Sequence, residues 1–248
     1  VDAADILRGF AIGGIVLIHF LEHLNFYYFP ELTALDETVW NIVFFWLANK
    51  MYAIFSLLFG FSFFVQHDNQ AQKGKDFRPR FLWRMLLLAL WGIFDLLFYN
   101  GDILLVYAAC SLFVIPLIRQ SNKVLFAAAI FFALQPIELV YIVLGLLNPE
   151  LTPLYLGSNE DFGAIMPQQI NGSFFDVAWV SLKHGIPVNF TWAIENGRFT
   201  QTIFLFIAGI LLGRYRYLYD EGNNRMRWKK TMLYSLIGFA VFYPLYTY

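Results

Sequence analysis

Charged residues are scarce in this chain. Of its 248 residues, 14% are charged, 59% are hydrophobic and 20% are aromatic, whereas about a quarter of an ordinary soluble domain is charged. A soluble protein of this size needs a charged surface, but here the few charges are grouped between long apolar runs. The composition excludes an ordinary soluble domain and is typical of an integral membrane protein.

The chain also has only one cysteine and a net charge close to zero. The single cysteine, Cys110, excludes an intrachain disulfide and a zinc–thiolate cluster. The formal net charge of −1 gives no support to nucleic-acid binding. The first apolar run carries glutamate and histidine and has no small-residue cleavage site, so it is not a cleavable signal peptide.

Apolar runs separated by polar stretches predict an all-α fold, a polytopic transmembrane bundle of about seven spans that forms one domain over residues 1–248. The predicted spans are 6–24, 39–66, 81–99, 103–118, 124–147, 199–217 and one that begins near 232. The second is too long for a single crossing and is divided at Asn49-Lys50. Its first part, 39–48, is therefore an interfacial or re-entrant piece, or the tilted outer end of the span. The fifth span is expected to kink at Pro136.

The distribution of Lys and Arg predicts which ends of the spans face the cytoplasm. The basic residues of one side are Arg8, Lys73, Lys75, Arg78, Arg80, Arg84, Arg119, Lys123, Arg214, Arg216, Arg225, Arg227, Lys229 and Lys230. The other side has only Lys50, Lys183 and Arg198. Because basic residues accumulate on cytoplasmic loops, we expect a cytoplasmic N-terminus, a cytoplasmic basic loop at 67–80, and an extracytoplasmic loop or amphipathic cap at 148–198.

Two pairs of glycines, each four residues apart, lie within predicted spans. They are Gly9 with Gly13 and Gly209 with Gly213. Small residues at this spacing allow helices in a membrane to approach closely. Both pairs are therefore predicted to be helix contacts.

Ionisable residues inside predicted spans are the candidates for function, because placing one in a membrane costs roughly 2.5–3.5 kcal/mol. The spacing of His19, Glu22 and His23 places them on one face of the first helix. At ~1.5 Å per residue, Asp95 and Glu138 each lie about 21 Å along their own spans, at a similar depth in the outer half. The predicted extracytoplasmic-side cavity contains His19, Glu22, His23, Asp95, Asp102 and Glu138, with Asn100 beside Asp102 in the outer turn.

A histidine beside a carboxylate can act as a general base on an acceptor hydroxyl or amine. The alternative is that these polar groups hydrogen-bond neighbouring helices or interfacial water. The run from His19 to His23 also has the H-x-x-E-H order of a zinc-binding helix. A third ligand is missing, so no metal is predicted.

Arginines at the other ends of the spans are candidates for binding a phosphorylated ligand, because their fork geometry suits phosphate. The positive-inside rule and anionic lipid headgroups explain most of the basic residues. Arg8 and Arg84 are the exceptions, since each stands where a span begins.

Four segments resemble the YeiB-like bacterial integral membrane proteins, a family of unknown function. They are Asp5–Ala11, Phe55–Phe61, Gly101–Ala108 and Phe206–Arg214, the last of which reads FIAGILLGR. They occur in the expected order over nearly the whole chain. Such proteins usually have further C-terminal spans, and this chain stops at Tyr248 within an apolar run, so we expect it to be truncated.

The YeiB-like family is distantly similar to integral-membrane acyltransferases, including the lysosomal heparan-α-glucosaminide N-acetyltransferase. Such enzymes take an acyl group from cytoplasmic acyl-CoA, use a histidine, and deliver the group to an acceptor across the membrane. The resemblance therefore implies acyl-CoA as the donor and no covalently bound cofactor. It also implies a multi-pass protein of a cell membrane, the bacterial inner membrane.

The first hypothesis is a transmembrane acyltransferase that modifies an extracytoplasmic glycan or lipid. The predicted catalytic residues are His19, His23, Glu22 and Asp102, and the predicted substrate-binding residues are Arg8, Arg84, Asp95, Asn100 and Glu138. Two other functions stay open: a transporter whose buried acids and histidines carry protons or bind substrate, and a non-catalytic scaffold or lipid-binding protein. The expected partners are membrane lipids, acyl-CoA as the donor and an extracytoplasmic acceptor. The sequence is also compatible with a homo-oligomer.

Overall fold

A computed structural model of the chain describes residues 1–27, 33–148 and 154–247, without the side chains of 23–27 and 245–247. The described residues are mainly helical and contain no β-strand. The helices are α1 (Asp2–Tyr27), α2 (Ala34–Leu47), α3 (Lys50–Ala71), α4 (Arg78–Asp95), α5 (Leu104–Val114), α6 (Asn122–Ala133), α7 (Pro136–Leu147), α8 (Ser158–Asn171), α9 (Phe174–Val180), α10 (Ile186–Glu195), α11 (Arg198–Arg214) and α12 (Asn224–Thr247). A 3₁₀ turn at Leu117–Arg119 and a π-helical turn at Ser181–Gly185 complete the set.

Local sequence signals explain where several helices begin. Thr33 and Asp36 form a capping box at the start of α2. Asn49, with φ of 64°, separates α2 from α3, so the predicted division at Asn49-Lys50 is confirmed. Pro136 starts α7 at a 46° bend after α6, which confirms the predicted kink.

Helices α3 and α11 form the centre of the bundle and run parallel. Tyr52 contacts Thr202 near their beginnings, and Gly209 packs against Leu57 and Phe61 further along. α11 also packs against α5, α6 and α10, while α1 lies against α3 and α4 against α5. The fully buried aromatic core between them is built around Phe63, Phe81, Tyr107 and Phe206.

Contacts between loops divide the bundle into two ends. At the first, Arg119 lies 3.2 Å from Asp76, and Arg214 donates to the carbonyl oxygens of Ile118 and Gln120. The loops after α3, α5 and α11 therefore share one end, which we call the basic end. The predicted basic loop is shorter than 67–80, because α3 continues to Ala71 and α4 begins at Arg78.

The opposite end gathers the C-terminal part of α1, the α4–α5 turn and the segment from α8 to α10. Tyr99 contacts His19 there, and Asn100 contacts Ser181. We call this the histidine end. From Leu154 onward, the segment predicted as a loop or amphipathic cap folds into α8, α9, the π turn and α10.

Membrane-spanning character is strongest in two stretches of the described chain. Asp2–Glu22, of 21 residues, and Ala34–Ala71, of 38 residues, are each long and apolar enough to cross a membrane, and the bent α6–α7 pair makes a third if it is one span. α5 is too short to cross alone, because its 11 residues cover only about 16 Å of a ~30 Å core. The crossing count of about seven and the membrane orientation stay predictions.

The surface of the bundle is apolar. Large hydrophobic side chains are exposed along α1, α4, α7 and α12, among them Ile6, Trp91, Leu146 and Phe242. A soluble protein rarely leaves such continuous apolar area in water. The chain is therefore a membrane protein, whose outward side chains suit a lipid solvent.

The two predicted glycine pairs have different surroundings. A side chain at Gly209 would overlap the Leu57 carbonyl oxygen, and one at Gly213 would overlap the Phe64 ring. A side chain at Gly60 would likewise overlap the Phe206 carbonyl oxygen. In contrast, Gly9 and Gly13 face open space in the described structure. The prediction of a helix contact is therefore correct for the α11 pair and is not matched by a contact at the α1 pair.

Replacing Gly209 with Ala is expected to lower stability by about 1–3 kcal/mol, because the added methyl group forces the α3 and α11 backbones apart. The measurement is the melting temperature of the detergent-purified protein. Gly9→Ala is the matched control, since it adds a methyl group on a helix surface without a neighbour. Equal melting temperatures for the Gly209 variant and the wild type would contradict the proposed packing.

Candidate functional site

Arg8 lies on α1 where that helix crosses α3 at the basic end. Its guanidinium is 2.7 Å from an Asp5 carboxylate oxygen and donates to Ser62 Oγ at 2.8 Å. Asp5 precedes Arg8 by one helical turn, so the two side chains share a face. Arg8 is thereby held against α3, with 38% of its side chain still exposed.

Arg84 reaches the same part of α3 from α4. It donates to the Gln66 side-chain oxygen, and Gln66 lies one turn after Ser62 on the same face. A cavity of about 300 Å³ opens between the three helices. Its lining consists of Arg8, Phe55, Leu58, Phe59, Ser62, Phe63, Gln66, Phe81, Arg84 and Met85. We call it the arginine cavity: it has two cations and two neutral polar groups, and the rest of its wall is apolar.

His19 is held at the histidine end by two polar groups. Its Nδ1 lies 3.1 Å from Glu22 Oε2 and 2.8 Å from the Tyr99 hydroxyl. The Tyr99 ring also meets the imidazole edge to face, with 5.4 Å between centroids. A side chain at Gly101 would overlap the Tyr99 ring, so glycine there lets the ring take this position. The other ring nitrogen, Nε2, has no hydrogen-bond partner among the described residues and remains available to a ligand.

Two acidic residues lie near the α4–α5 turn at the histidine end: Asp95, the last residue of α4, and Asp102 in the turn itself. Asp102 accepts a hydrogen bond from the Leu104 amide at 3.2 Å, which caps the start of α5. Burial raises the pKa of the Asp102 carboxyl, the Leu104 amide lowers it, and the Asp95 carboxylate raises it. Asp102 also interacts electrostatically with His19. Asp102 therefore acts on the surroundings of His19 without a direct hydrogen bond to it, and Asp95 acts on Asp102.

The remaining predicted site residues lie elsewhere. Asn100 is buried, donates to Ser181 Oγ at 3.2 Å, and accepts at its backbone oxygen from Asn189. It therefore anchors the π turn and α10. The Glu138 carboxylate lies beside Gly197 at the start of α11, and no described contact joins it to His19. His23 lies outside the described side chains.

Several residues of the arginine cavity and of the His19 cluster are not among those that the sequence predicted. Ser62 and Gln66 were weak signals, since each is one polar residue in an apolar run, although their spacing of four places them on one helix face. Tyr99 precedes a recognisable Asn-Gly turn but carries no charge. Outside these two sites, His184 and Asp161 form a second histidine–carboxylate pair; they are 23 positions apart, so only the fold brings them together.

Comparison with known proteins gives a family match. A family model described as heparan-alpha-glucosaminide N-acetyltransferase, catalytic, matches residues 1–167. An uncharacterized 39.9 kDa protein of the amylase 3′ region of Bacillus acidopullulyticus is 33% identical over 124 residues, which is 50% of this chain and 36% of that protein. The uncharacterized protein YxaH of Bacillus subtilis (strain 168) is 25% identical over 282 residues, covering 99% of this chain.

The chain spans only part of these relatives, 36% of the first and 66% of the second. No solved structure matches the chain. The family match includes the arginine cavity and the His19 cluster and ends before the π turn.

Replacing Asp102 with Asn is expected to raise the melting temperature near neutral pH. Because burial raises the folded-state pKa of Asp102 above the value of about 3.9 in an unfolded chain, the native carboxyl binds its proton more tightly than the unfolded chain does at pH values between the two. The contribution of Asp102 to the free energy of unfolding therefore falls as pH rises from the unfolded-state pKa to the folded-state pKa. The gain from Asp102→Asn should be absent below about pH 4 and should grow as pH rises from there toward the raised folded-state pKa, in thermal melts of the purified protein.

Asp76→Asn is a control that should change the melting temperature in the opposite direction. Hydrogen bonds from Arg78 lower the pKa of Asp76 to about 2, so its stabilising effect is present at neutral pH and is lost as pH falls toward that value. Asp76→Asn should lower the neutral-pH melting temperature. A pH-independent effect of Asp102→Asn would show that burial does not control this carboxyl.

Proposed function

Because the chain belongs to the heparan-alpha-glucosaminide N-acetyltransferase catalytic family, a family of membrane acyltransferases, we propose that it transfers an acyl group from acyl-CoA to an acceptor on the other side of the membrane. The family match agrees with the relation that the four sequence motifs implied.

The observation that carries the proposal is the arginine cavity. Arg8 and Arg84 come from different helices, 76 positions apart in the sequence, and line one cavity. Bidentate guanidinium groups suit phosphate oxygens, which coenzyme A carries. The Ser62 and Gln66 side chains tether the two arginines, and the phenylalanine-rich wall suits the less polar arm of the donor.

The two ends of α1 would connect the donor to the acceptor. His19 lies eleven positions after Arg8, which is a rise of ~16 Å along the helix. An elongated donor held by its phosphates at the arginine cavity would direct its thioester toward the histidine end. The same polarity supports a cytoplasmic basic end, because basic loops stay in the cytoplasm and acyl-CoA is made there.

His19 is the proposed general base. Glu22 and Tyr99 both contact Nδ1, so they fix the ring and leave Nε2 toward the acceptor. As the acceptor nitrogen or oxygen bonds to the acyl carbon, Nε2 takes its proton. The carbon–sulfur bond then breaks, the thiolate of coenzyme A leaves, and it regains a proton from solvent or from the imidazolium.

One observation favours a transporter as the second candidate. Both Glu138 carboxylate oxygens are buried and have no hydrogen-bond partner among the described residues, and Glu138 lies just after the 46° bend between α6 and α7. Broken helices with a buried acid occur at ion sites of transporters. A pH-driven substrate flux that Glu138→Gln abolishes, without any acyl transfer, would favour this function.

Arg8→Ala and Arg84→Ala are each expected to weaken acetyl-CoA binding about 10- to 100-fold, because each removes a charged hydrogen bond worth about 1.5–3 kcal/mol. The measurement is calorimetric titration of acetyl-CoA into the protein in lipid nanodiscs. Arg225→Ala is the matched control, since it removes an exposed charge of the basic end that does not line the cavity. If all three variants lost acetyl-CoA affinity equally, the loss would be explained by the change in net charge. The arginine cavity would then have no support as a donor site.

His19→Gln is expected to lower the rate of acetyl transfer about 10²- to 10⁴-fold, the usual contribution of a general base, while acetyl-CoA binding stays unchanged. Tyr99→Phe should give a smaller loss, because Glu22 still holds Nδ1. The readout is acetylated product by mass spectrometry, with glucosamine as the acceptor that the family description suggests. Full activity of His19→Gln would remove His19 from the mechanism.

A further inference from the structure

A groove of about 730 Å³ lies between α6, α11 and α12, and we call it the α12 groove. Small side chains line it on two helices, Ala129 on α6 and Ala208 on α11, and no acidic residue is among the described residues of its lining. It shares no residue with the arginine cavity: Leu57 of α3 lines the groove, whereas the next residue, Leu58, lines the cavity. Its volume is typical of ligand sites, which measure about 300–1,000 Å³.

Polar contacts hold the beginning of α12 against the turn that follows α11. The Asn224 side chain is buried and donates to the carbonyl oxygens of Arg216 and Tyr219 at 2.8 and 2.9 Å. The Trp228 indole donates to the Tyr217 carbonyl oxygen at 2.8 Å. The first turns of α12 are therefore fixed at the basic end.

Toward its other end, α12 contacts α2. The Phe239 and Tyr243 rings each meet the Phe45 ring, with centroids 6.0 and 5.9 Å apart. Between these two places α12 does not pack closely against α6 or α11. The α12 groove is therefore the space that separates the middle of a fixed helix from its neighbours.

One face of α12 carries the two cations of the groove. Arg227, Lys230, Thr231 and Tyr234 line it, and their spacing of i, i+3, i+4 and i+7 places them on one side of the helix. Lys229 is their neighbour in the sequence but does not line the groove. The cations therefore belong to the groove because of the helical periodicity, and they are not simply part of a basic surface.

Neither cation of the groove is neutralised within the described part of the chain. Arg216, also at the basic end, forms an ion pair with Glu221, but Arg227 and Lys230 have no such partner among the described side chains. Arg227 donates instead to the neutral Asn224 Oδ1 at 3.3 Å. An anionic ligand would complement these two charges, and a guanidinium group suits phosphate oxygens.

The length of the groove matches one leaflet of a membrane. Its lining on α11 extends from Phe204 to Tyr215, a rise of ~16 Å, which is about half of a ~30 Å hydrocarbon core. Tyr217 and Trp228 line the groove near the cations, and such aromatic residues are enriched where membrane meets water. An acyl chain that lies along the groove would thus place its headgroup beside the two cations.

We propose that the α12 groove binds one anionic glycerophospholipid, with the headgroup phosphate between Arg227 and Lys230 and one acyl chain between α6, α11 and α12. Basic pockets between transmembrane helices recognise anionic headgroups in this way. The bound lipid fills the space beside α12 and joins that helix to the bundle. This site does not depend on the proposed acyl transfer, because it shares no residue with the arginine cavity.

The test is native mass spectrometry of the detergent-purified protein, titrated with dioleoyl phosphatidylglycerol or dioleoyl phosphatidylcholine. Each cation beside an anionic headgroup contributes about fivefold in affinity, so one phosphatidylglycerol should bind about 10- to 25-fold more tightly than phosphatidylcholine. Glycerol phosphate, which has the charge without acyl chains, should not displace it. Equal affinities for the two lipids would mean unselective lipid contact and overturn the proposal, as would displacement by glycerol phosphate.

Charge variants test the headgroup position. Arg227→Ala and Lys230→Ala should each weaken phosphatidylglycerol binding about fivefold. Lys229→Ala is the matched control, because it removes the same charge from the adjacent position outside the groove, and its affinity should equal that of the wild type. A loss of the same size in Lys229→Ala would assign the effect to net charge and overturn the proposal.

A variant that fills the groove tests the position of the acyl chain. Ala208→Phe should weaken phosphatidylglycerol binding by about fivefold or more, because the added ring occupies the space of the chain. Ala127→Phe is the matched control, since Ala127 is exposed on α6 and does not line the groove. Unchanged affinity in Ala208→Phe would overturn the proposal. A dimer without bound lipid would also overturn it, because a second copy of the chain would then cover the groove.

Discussion

The close approach of the α3 and α11 backbones is the contact on which the rest of the structure depends. In hydrocarbon, apolar side chains gain little by leaving lipid for another helix, so helices associate through tight packing and a few hydrogen bonds. Gly60 and Gly209 permit that packing because neither carries a side chain. Polar contacts near the start of α11, from Tyr52 to Thr202 and to the Arg198 carbonyl, then fix the register.

That central pair separates two chemically different ends. α3 carries Ser62 and Gln66 toward the basic end, where α1 and α4 bring the arginines to them. The α4–α5 turn, which α5 holds against the centre, carries Tyr99 and Asn100 at the other end. The buried Ser56–Tyr107 hydrogen bond of 2.5 Å ties α5 to α3 between the two ends. The proposed transfer from a charged donor on one side to a polar acceptor on the other would need this kind of polarity.

The sequence indicates polar groups at both ends of the bundle but only part of each cluster that the fold assembles. Arg8, Arg84, His19 and Glu22 were recognisable because a charged group in or beside an apolar run is expensive to keep. Glu138 met the same criterion and lies elsewhere, since depth along a helix says nothing about rotation around its axis. Tyr99, Ser62 and Gln66 are neutral, and neutral polar residues occur in many membrane helices without a role in function.

The sequence by itself determined the helical class, the membrane character, the break at Asn49, the bend at Pro136 and the alternation of basic and non-basic loops. Each of these follows from the identity and order of neighbouring residues, which set local backbone preferences and solvent partition. Only the tertiary structure decided that Arg8 meets Arg84 at one cavity, that Tyr99 holds His19, and that Asp161 orients His184. Those meetings depend on how helices far apart in the chain pack and rotate against one another, and that is set by contacts no local pattern encodes.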